Sequence, residues 1–568
     1  MNKTIALIGG GPAALFMLKH IVKYELLLKT ILIFEKNERL GVGMPYGALG
    51  AENEHVANVS ANELPQMHED FETYIGKFPT DEFGNFCENG SVNPYEVIPR
   101  RLLGDFLEYS FKKYTGLAKS LGIEVQVLTD TEVLDILPDN GMDSYKIFAG
   151  DQKFQSEIVI ICTGHVWPKK YEGKQEGWFD SPYPPSKLSL NANFRVAVRG
   201  ASLTAIDAIK TLARANGHFE KDDDGNYEYF LNEDSPDFRI DLFSLRGFLP
   251  ALRFHCEDDA FSSDWTMNLQ EIYEYKDKHG GFVDLDYVFE RNFKNLINQK
   301  NPEFYEEIKA LSIEEFVEKM LQIRKDLDSF TLFKAEFQEA EKSLHRQQSV
   351  VWKETLSAFS YAVNYPAKHF SAEDMLRLKK TLMPLISIII ASLPQSSYHE
   401  IMALYEKGLI TSNAVGDDSE IQPADERGAV ITFTDENGQK FSKKYELFVD
   451  AIGQKALLFN DLPFSGLKNG TVSPGFLYFK DNEEGKKYEE QDPENGGHDA
   501  SGKYHMKVPG LSINDFFQAQ DSFGVANPSL YIMAVPFIGG LNPDYSGLDF
   551  CDTAGERIAV KLRSILAS

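Results

Sequence analysis

Residues 4–14 read Thr-Ile-Ala-Leu-Ile-Gly-Gly-Gly-Pro-Ala-Ala: an apolar run, then three glycines. The segment that follows, Leu15-Phe16-Met17-Leu18-Lys19-His20-Ile21, has its apolar residues at helical spacing. Strand, tight turn and helix in that order predict the opening β-turn-α unit of a doubly wound sheet. The turn fits G-x-G-x-x-A. Gly9 permits the tight turn, Gly11 lets the backbone approach a pyrophosphate, and Ala14 allows the helix to pack closely on the strand. Pro12 and Ala13 begin the helix, whose unpaired N–H groups and positive dipole end favour an anion. A second apolar strand at 30–34 ends in Glu35, placed to accept ribose hydroxyls.

Working outward, residues 101–121 form an amphipathic helical pattern, and strand patterns follow at 123–128, 144–149 and 157–162. The proline-rich stretch 165–193 is expected to be a linker. A second β-turn-α pattern then begins with 194–199, continues through Gly200-Ala201-Ser202-Leu203-Thr204-Ala205, and meets another strand at 239–245. The acidic stretch 219–237 is expected to be a surface excursion. Residues 255–405 change to a dominantly helical pattern, with Ser312-Ile313-Glu314-Glu315 forming a capping box. Strand patterns resume at 429–433 and 445–450, a polar stretch at 481–505 is expected to be a long loop, and a final strand and helix close the chain. The fold class is α/β: two Rossmann-like dinucleotide-binding domains, each a doubly wound sheet, with a large helical insertion. The expected division is 1–185 for the first domain, 186–255 and 411–470 for the second, 256–410 for the helical insertion, and 471–568 for a long loop and the return to the first domain.

Composition narrows the function. The 568 residues are 43% hydrophobic, enough for sizeable cores, and 86 acidic against 58 basic residues leave a formal charge of −28. Such a surface repels phosphate backbones and anionic lipid, so no nucleic-acid or membrane partner is expected. The longest apolar run, Leu382–Leu393, is too short to span a bilayer, and the N-terminus lacks the pattern of a secretory leader, so a cytoplasmic protein is expected. Four cysteines with no CxxC pair and 12 histidines without ligand spacing predict no metal site, and G-x-S-x-G is absent.

Several segments together resemble a known family. Val159-Ile160-Ile161-Cys162-Thr163-Gly164 is a strand ending in Thr-Gly. Gly41-Val42-Gly43-Met44-Pro45-Tyr46-Gly47, His55-Val56-Ala57-Asn58 and Pro99-Arg100-Arg101-Leu102-Leu103 are similar to segments of the FAD/NAD(P)-binding flavoproteins related to single-component, N-hydroxylating flavin monooxygenases. The resemblance covers about 1–255 and, more loosely, 429–568. It implies FAD in the first domain, with Thr163 and Gly164 beside it, His55 and Asn58 at the flavin's polar edge, and Arg100 near the pyrophosphate. It implies NADPH or NADH at Gly200, Ser202, Leu203 and Thr204, where Ser202 stands in place of the family's middle glycine. Arg246, after the strand at 239–245, is a candidate partner for a 2′-phosphate, and Gly540 lies in the segment that would close over the flavin pyrimidine.

The expectation is an FAD-dependent NAD(P)H oxidoreductase, with the monooxygenase reading foremost: O₂ and a small-molecule substrate meet at the flavin, and oxygen passes on through a flavin peroxide. No side-chain dyad or triad marks a catalytic residue, as expected where the cofactor carries the chemistry. Two alternatives stand beside it: a flavin dehydrogenase or reductase without oxygen insertion, and a non-catalytic flavin-binding protein. The helical insertion is expected to serve as a lid or wall over the site. Substrate identity and oligomeric state have no readable motif.

Overall fold

The computed structural model describes every residue except 1–2, 79–86, 89–90, 140–143, 223–225, 257–264, 436–437 and 568, so the expected opening of the helical insertion at 257–264 lies outside the described residues. The chain enters on β1 (Lys3–Ile8), turns at Gly9–Gly11 into α1 (Pro12–Lys23) and returns on β2 (Leu28–Phe34). After α2 (Arg100–Ser120) come β3 (Glu124–Leu128) and β4 (Ile158–Ile161). The second unit takes β5 (Trp178–Phe179), β6 (Arg195–Arg199), α3 (Leu203–Asn216) and β7 (Arg239–Ser244). Helices then dominate from Leu269 to Glu406, among them α4 (Val351–Val363) and α5 (Gln395–Glu406). The chain returns to the second unit through β8 (Ile410–Ala414) and β9 (Leu447–Asp450), and to the first through β10 (Gln518–Gln520) and β11 (Ala526–Ile532). It closes on α6 (Gly547–Ala567).

The first sheet runs β10-β11-β4-β1-β2-β3 and the second β5-β9-β6-β7-β8. Every pair in both is parallel except β10 with β11. Parallel strands covered on both faces need continuous apolar runs, and Ile5, Ala6 and Leu7 of β1 and Val196, Ala197 and Val198 of β6 are wholly buried. The strand order of each sheet reverses at its glycine-turn strand. β1 lies between β2 and β4, and β6 lies between β7 and β9, so each has a crevice at the carboxyl ends of its strands where such folds bind ligands.

The register of the three strands about each glycine turn aligns the two units position by position. Ile8 pairs with Phe34 and Ile161; Arg199 pairs with Phe243 and Asp450. Gly9 N donates to Phe34 O and Cys162 N to Ile8 O; Gly200 N donates to Phe243 O and Ala451 N to Arg199 O. Gly9 therefore corresponds to Gly200, Glu35 to Ser244, Thr163-Gly164 to Ile452-Gly453, and His165 to Gln454.

The helical block is fixed to both units. Phe316, Phe359 and Leu385 share the first unit's core, while Phe330, Phe333 and Ile401 share the second's. Glu400 of α5 takes Arg214 of α3 at 2.9 Å, and Asn58 donates to Ile390 O at 2.9 Å. This block is a wall bolted at both sides.

Three segments differ from the sequence expectation. The linker 165–193 contributes β5, which adds an edge to the second sheet beside Phe448 and Val449. The stretch 481–505 holds a helix, Asn482–Gln491, with Asp481 accepting from Glu483 N and Glu484 N. Only Gly485 of that helix is buried, so no apolar stripe announces it. The acidic excursion forms an antiparallel hairpin, Gly217–Lys221 with Tyr227–Leu231, pinned by Tyr229, whose hydroxyl donates to Ala213 O at 2.7 Å.

Candidate functional site

In the first crevice Gly9 has φ +107°, and a Cβ there would lie 2.8 Å from Cys162 O. The turn thus passes directly over the end of β4. Gly11 adopts an extended conformation and no side chain caps α1, so the helix presents its first N–H groups to the crevice. A Cβ on Gly11 would meet Gly43 Cα at 3.2 Å, and one on Gly43 would meet Pro12 Cδ at 3.0 Å. Gly43 and the glycine turn therefore meet backbone to backbone, an approach that a side chain on either glycine would prevent. Pro12 and Ala13 are half-buried and Ala14 is buried against the sheet. Thr163, immediately after the crossing, carries a buried hydroxyl with no partner, and Gly164 beside it is exposed. Glu35 is buried, accepting Gly10 N at 2.8 Å on one oxygen and Asn37 N and Nδ2 at 2.9 and 2.8 Å on the other. These features fit a dinucleotide.

The other first-unit residues singled out from sequence face the boundaries. His55 Nδ1 accepts from Glu52 N at 2.8 Å, so Nε2 carries the proton and points to Thr211 Oγ1 (3.2 Å) and Asp207 O (3.3 Å) of α3. Burial holds His55 below the usual imidazole range, hence neutral. Arg100 donates to Asp207 at 2.7 and 3.2 Å, and also to Gly50 O and Val56 O. Tyr183 OH adds a 2.6 Å bond to the same carboxylate. Burial drives the Asp207 carboxyl up, but Arg100 outweighs it and leaves the group below the usual carboxylate range. Asn58 faces the helical block, where Arg253 donates to its carbonyl at 3.2 Å. Gly540 is buried under Pro509 O, with no room for a Cβ.

The second crevice repeats the first. Gly200 has φ +119°, and its Cβ would lie 2.5 Å from Ala451 O. Ser202 heads α3 in the extended conformation of Gly11, with its side chain exposed, so its Cβ causes no backbone strain. Leu203 and Thr204 are half-buried in the first turn, and Gly453 approaches Thr204 Oγ1. Ser244, in the place of Glu35, has a buried hydroxyl without a partner, and Arg246 two residues on is exposed.

Where the crevices meet, His165 Nδ1 and Gln454 Oε1 lie 2.5 Å apart, and Val166 N donates to the same oxygen at 3.2 Å. The backbone donor fixes the amide orientation, so His165 Nδ1 carries its proton. Burial keeps His165 below the usual range, against the pull of Gln454. Trp167 continues the contact, its ring 5.9 Å from His165 and 5.1 Å from Tyr183. Asp207, Tyr183, Ser244, His165 and Gln454 were not singled out from sequence. Ser244 could have been found from the register of the repeated unit; Asp207 takes its meaning from Arg100 in the other unit, and the His165–Gln454 contact joins residues 289 apart, so neither leaves a local signal. A cavity of about 910 Å³ lined by Tyr275, Asp284, Glu373, Lys480 and Asp481 shares no lining residue with either crevice.

This geometry defines an α/β protein with two dinucleotide crevices and a helical block between sequence halves of the second. Residues 6–166, which make up the first unit's glycine turn and the strands around it, match the family model described as FAD-NAD(P)-binding. Residues 268–390 match the YdhS-like middle domain, which gives the helical block a family of its own. Over 486 residues the chain is 26% identical to the uncharacterized protein YdhS of Escherichia coli strain K12, covering 83% of this chain and 87% of that one. Solved structures with similar folds include the cadaverine monooxygenase DfoA of Erwinia amylovora (TM-score 0.46, 9% identity, 99% and 94% of the two chains). Another is the bacillithiol disulfide reductase of Staphylococcus aureus (TM-score 0.41, 11% identity, 100% and 98%). Among the described residues no helix is long and apolar enough to cross a membrane.

Proposed function

We propose that the protein is a single-component flavin monooxygenase: FAD in the first crevice, NADPH in the second, and a small molecule and O₂ as the other reactants. The observation that carries this reading is the repetition of the glycine crossing, Gly9 over Cys162 and Gly200 over Ala451, in two units whose crevices adjoin. FAD, when bound, supplies hydride acceptance and oxygen activation. The chain's own part is to hold and exclude. The N–H groups of α1 hold the pyrophosphate beside the close Gly11–Gly43 contact, Glu35 is placed for the adenosine ribose, and Thr163 Oγ1 gains the partner it lacks. The helical block keeps water out as a fixed wall.

The test is anaerobic mixing of the FAD-loaded protein with NADPH, followed by air and a screen of small-molecule substrates. Bleaching of the flavin, then a product one oxygen heavier, is the expected result. Bleaching with peroxide as the only product under every substrate would move the reading to a reductase, and absence of bleaching would leave a flavin-binding protein.

A further inference from the structure

Gln454 uses only half of its amide. Its oxygen accepts from His165 Nδ1 and Val166 N, while its Nε2 is buried with no partner. A buried amide N–H without an acceptor costs on the order of 1–3 kcal/mol, so such an orphan calls for a ligand. Its place says which one. A dinucleotide lies across the crevice at the strand where the order reverses, with its adenosine half over the β-turn-α-β side and its other half over the opposite strand. In the second unit the adenosine side is Ser244 and the opposite strand is β9, whose end is Asp450-Ala451-Ile452-Gly453-Gln454. Gly453 adjoins the first turn of α3 through Thr204, so Gln454 stands one residue beyond the crevice mouth. By the same rule the ring end of a dinucleotide in the first unit passes over Thr163-Gly164-His165. The two positions are equivalent in the repeated fold and hydrogen-bonded to each other, so the ring-bearing ends of both cofactors converge on this one contact.

We infer that Gln454 Nε2 donates to the carboxamide oxygen of the nicotinamide, and that His165, with Val166 N, fixes the amide that does so. The inference rests on the proposed second nucleotide site and names the residue that positions its reactive end. His165 serves as a positioning residue: held neutral by burial, with its Nδ1 proton committed to Gln454, it prevents the amide from turning over.

The test compares two probes on the FAD-loaded protein: NADP⁺, and 2′,5′-ADP, which carries the adenosine and 2′-phosphate without nicotinamide. Gln454→Leu is expected to weaken NADP⁺ about threefold to tenfold, the loss of one neutral hydrogen bond, with 2′,5′-ADP and FAD affinities unchanged. His165→Phe, which keeps the ring beside Trp167 but releases the amide, is expected to shift NADP⁺ affinity in the same direction by a smaller factor. Equal weakening of both probes, loss of FAD, or no change in NADP⁺ affinity would overturn the assignment. A wild-type protein that carries FAD and binds neither probe would remove the second nucleotide site itself, a failure of the proposed function that the wild-type control separates from a failure of Gln454.

Discussion

Arg100 of the first unit holds both carboxylate oxygens of Asp207 in the second, at 2.7 and 3.2 Å, with side-chain exposures of only 14% and 8%. The pair sits among His55, Tyr183 and Thr211, so it joins α2, α3 and the 50–58 segment at one point. Removing one member of such a pair leaves a buried charge uncompensated, which costs about 3–5 kcal/mol. Asp207→Ala is therefore expected to lower the urea midpoint by that equivalent, whereas Asp207→Asn, which still accepts from Arg100 and Tyr183, loses less. Equilibrium unfolding of the two variants at neutral pH checks the order.

Nucleotide preference follows from Ser244 and Arg246. The first unit has a buried carboxylate at the end of β2, Glu35, which suits ribose hydroxyls and would repel a 2′-phosphate. The second has a hydroxyl there with no partner and an exposed guanidinium two residues on. The expected preference is NADPH over NADH. Arg246→Ala is expected to weaken NADPH about tenfold or more while leaving NADH within about twofold, the loss of a charge-assisted bond. Ser244→Glu is expected to reverse the preference. Flavin reduction rates with each nucleotide, at saturating and sub-saturating concentration, measure both.

The two glycine crossings give a separable pair of variants. Alanine at Gly9 needs φ +107° and places Cβ 2.8 Å from the Cys162 carbonyl; alanine at Gly200 needs φ +119° and 2.5 Å from Ala451 O. Each substitution costs at least about 1 kcal/mol of strain and closes the turn to a pyrophosphate. Gly9→Ala is expected to purify without FAD. Gly200→Ala is expected to retain FAD, keep its yellow colour, and resist reduction by NADPH. Retention of NADPH reduction by Gly200→Ala would place the nicotinamide nucleotide elsewhere.

These contrasts also show what the amino-acid sequence carries. The glycine turns, the strand before each and Glu35 are local patterns, since backbone clearance and periodicity are properties of neighbouring residues. The parallel order of both sheets follows from them. Arg100 was legible as a charged residue at a helix start, but its partner Asp207 lies in the other unit, and no periodicity encodes a contact of that kind. Ser244 hid for a different reason: its meaning comes from the register that aligns β7 with β2, not from its neighbours. The helix Asn482–Gln491 escaped because its contacts come from Gly485 and one aromatic, Tyr488 beside Phe479, leaving no apolar stripe to see.

Asp544 sets a pH dependence that can be worked out in sign. It stands before α6 where the loop meets α4: its N–H donates to Asn364 Oδ1 at 2.9 Å, and Ser360 Oγ donates to its carboxylate. No basic group compensates it, so burial pushes the carboxyl up to about 6, with the Ser360 bond opposing only in part. The unfolded chain has the ordinary value near 3.8. Between the two values the folded state holds the proton and the unfolded state does not, so this group's contribution is full below about pH 4 and is lost as pH rises to about 6. A tenfold change in proton affinity is worth about 1.4 kcal/mol, which bounds the loss at about 3 kcal/mol. Asp544→Asn keeps the shape and the acceptor for Ser360 without the charge. It is expected to unfold at higher urea than the parent at pH 7.5, and by a margin about a third as large at pH 4.5. A variant equally stable to its parent at both pH values would mean that the parent carboxylate ionises without penalty in its place beneath α4.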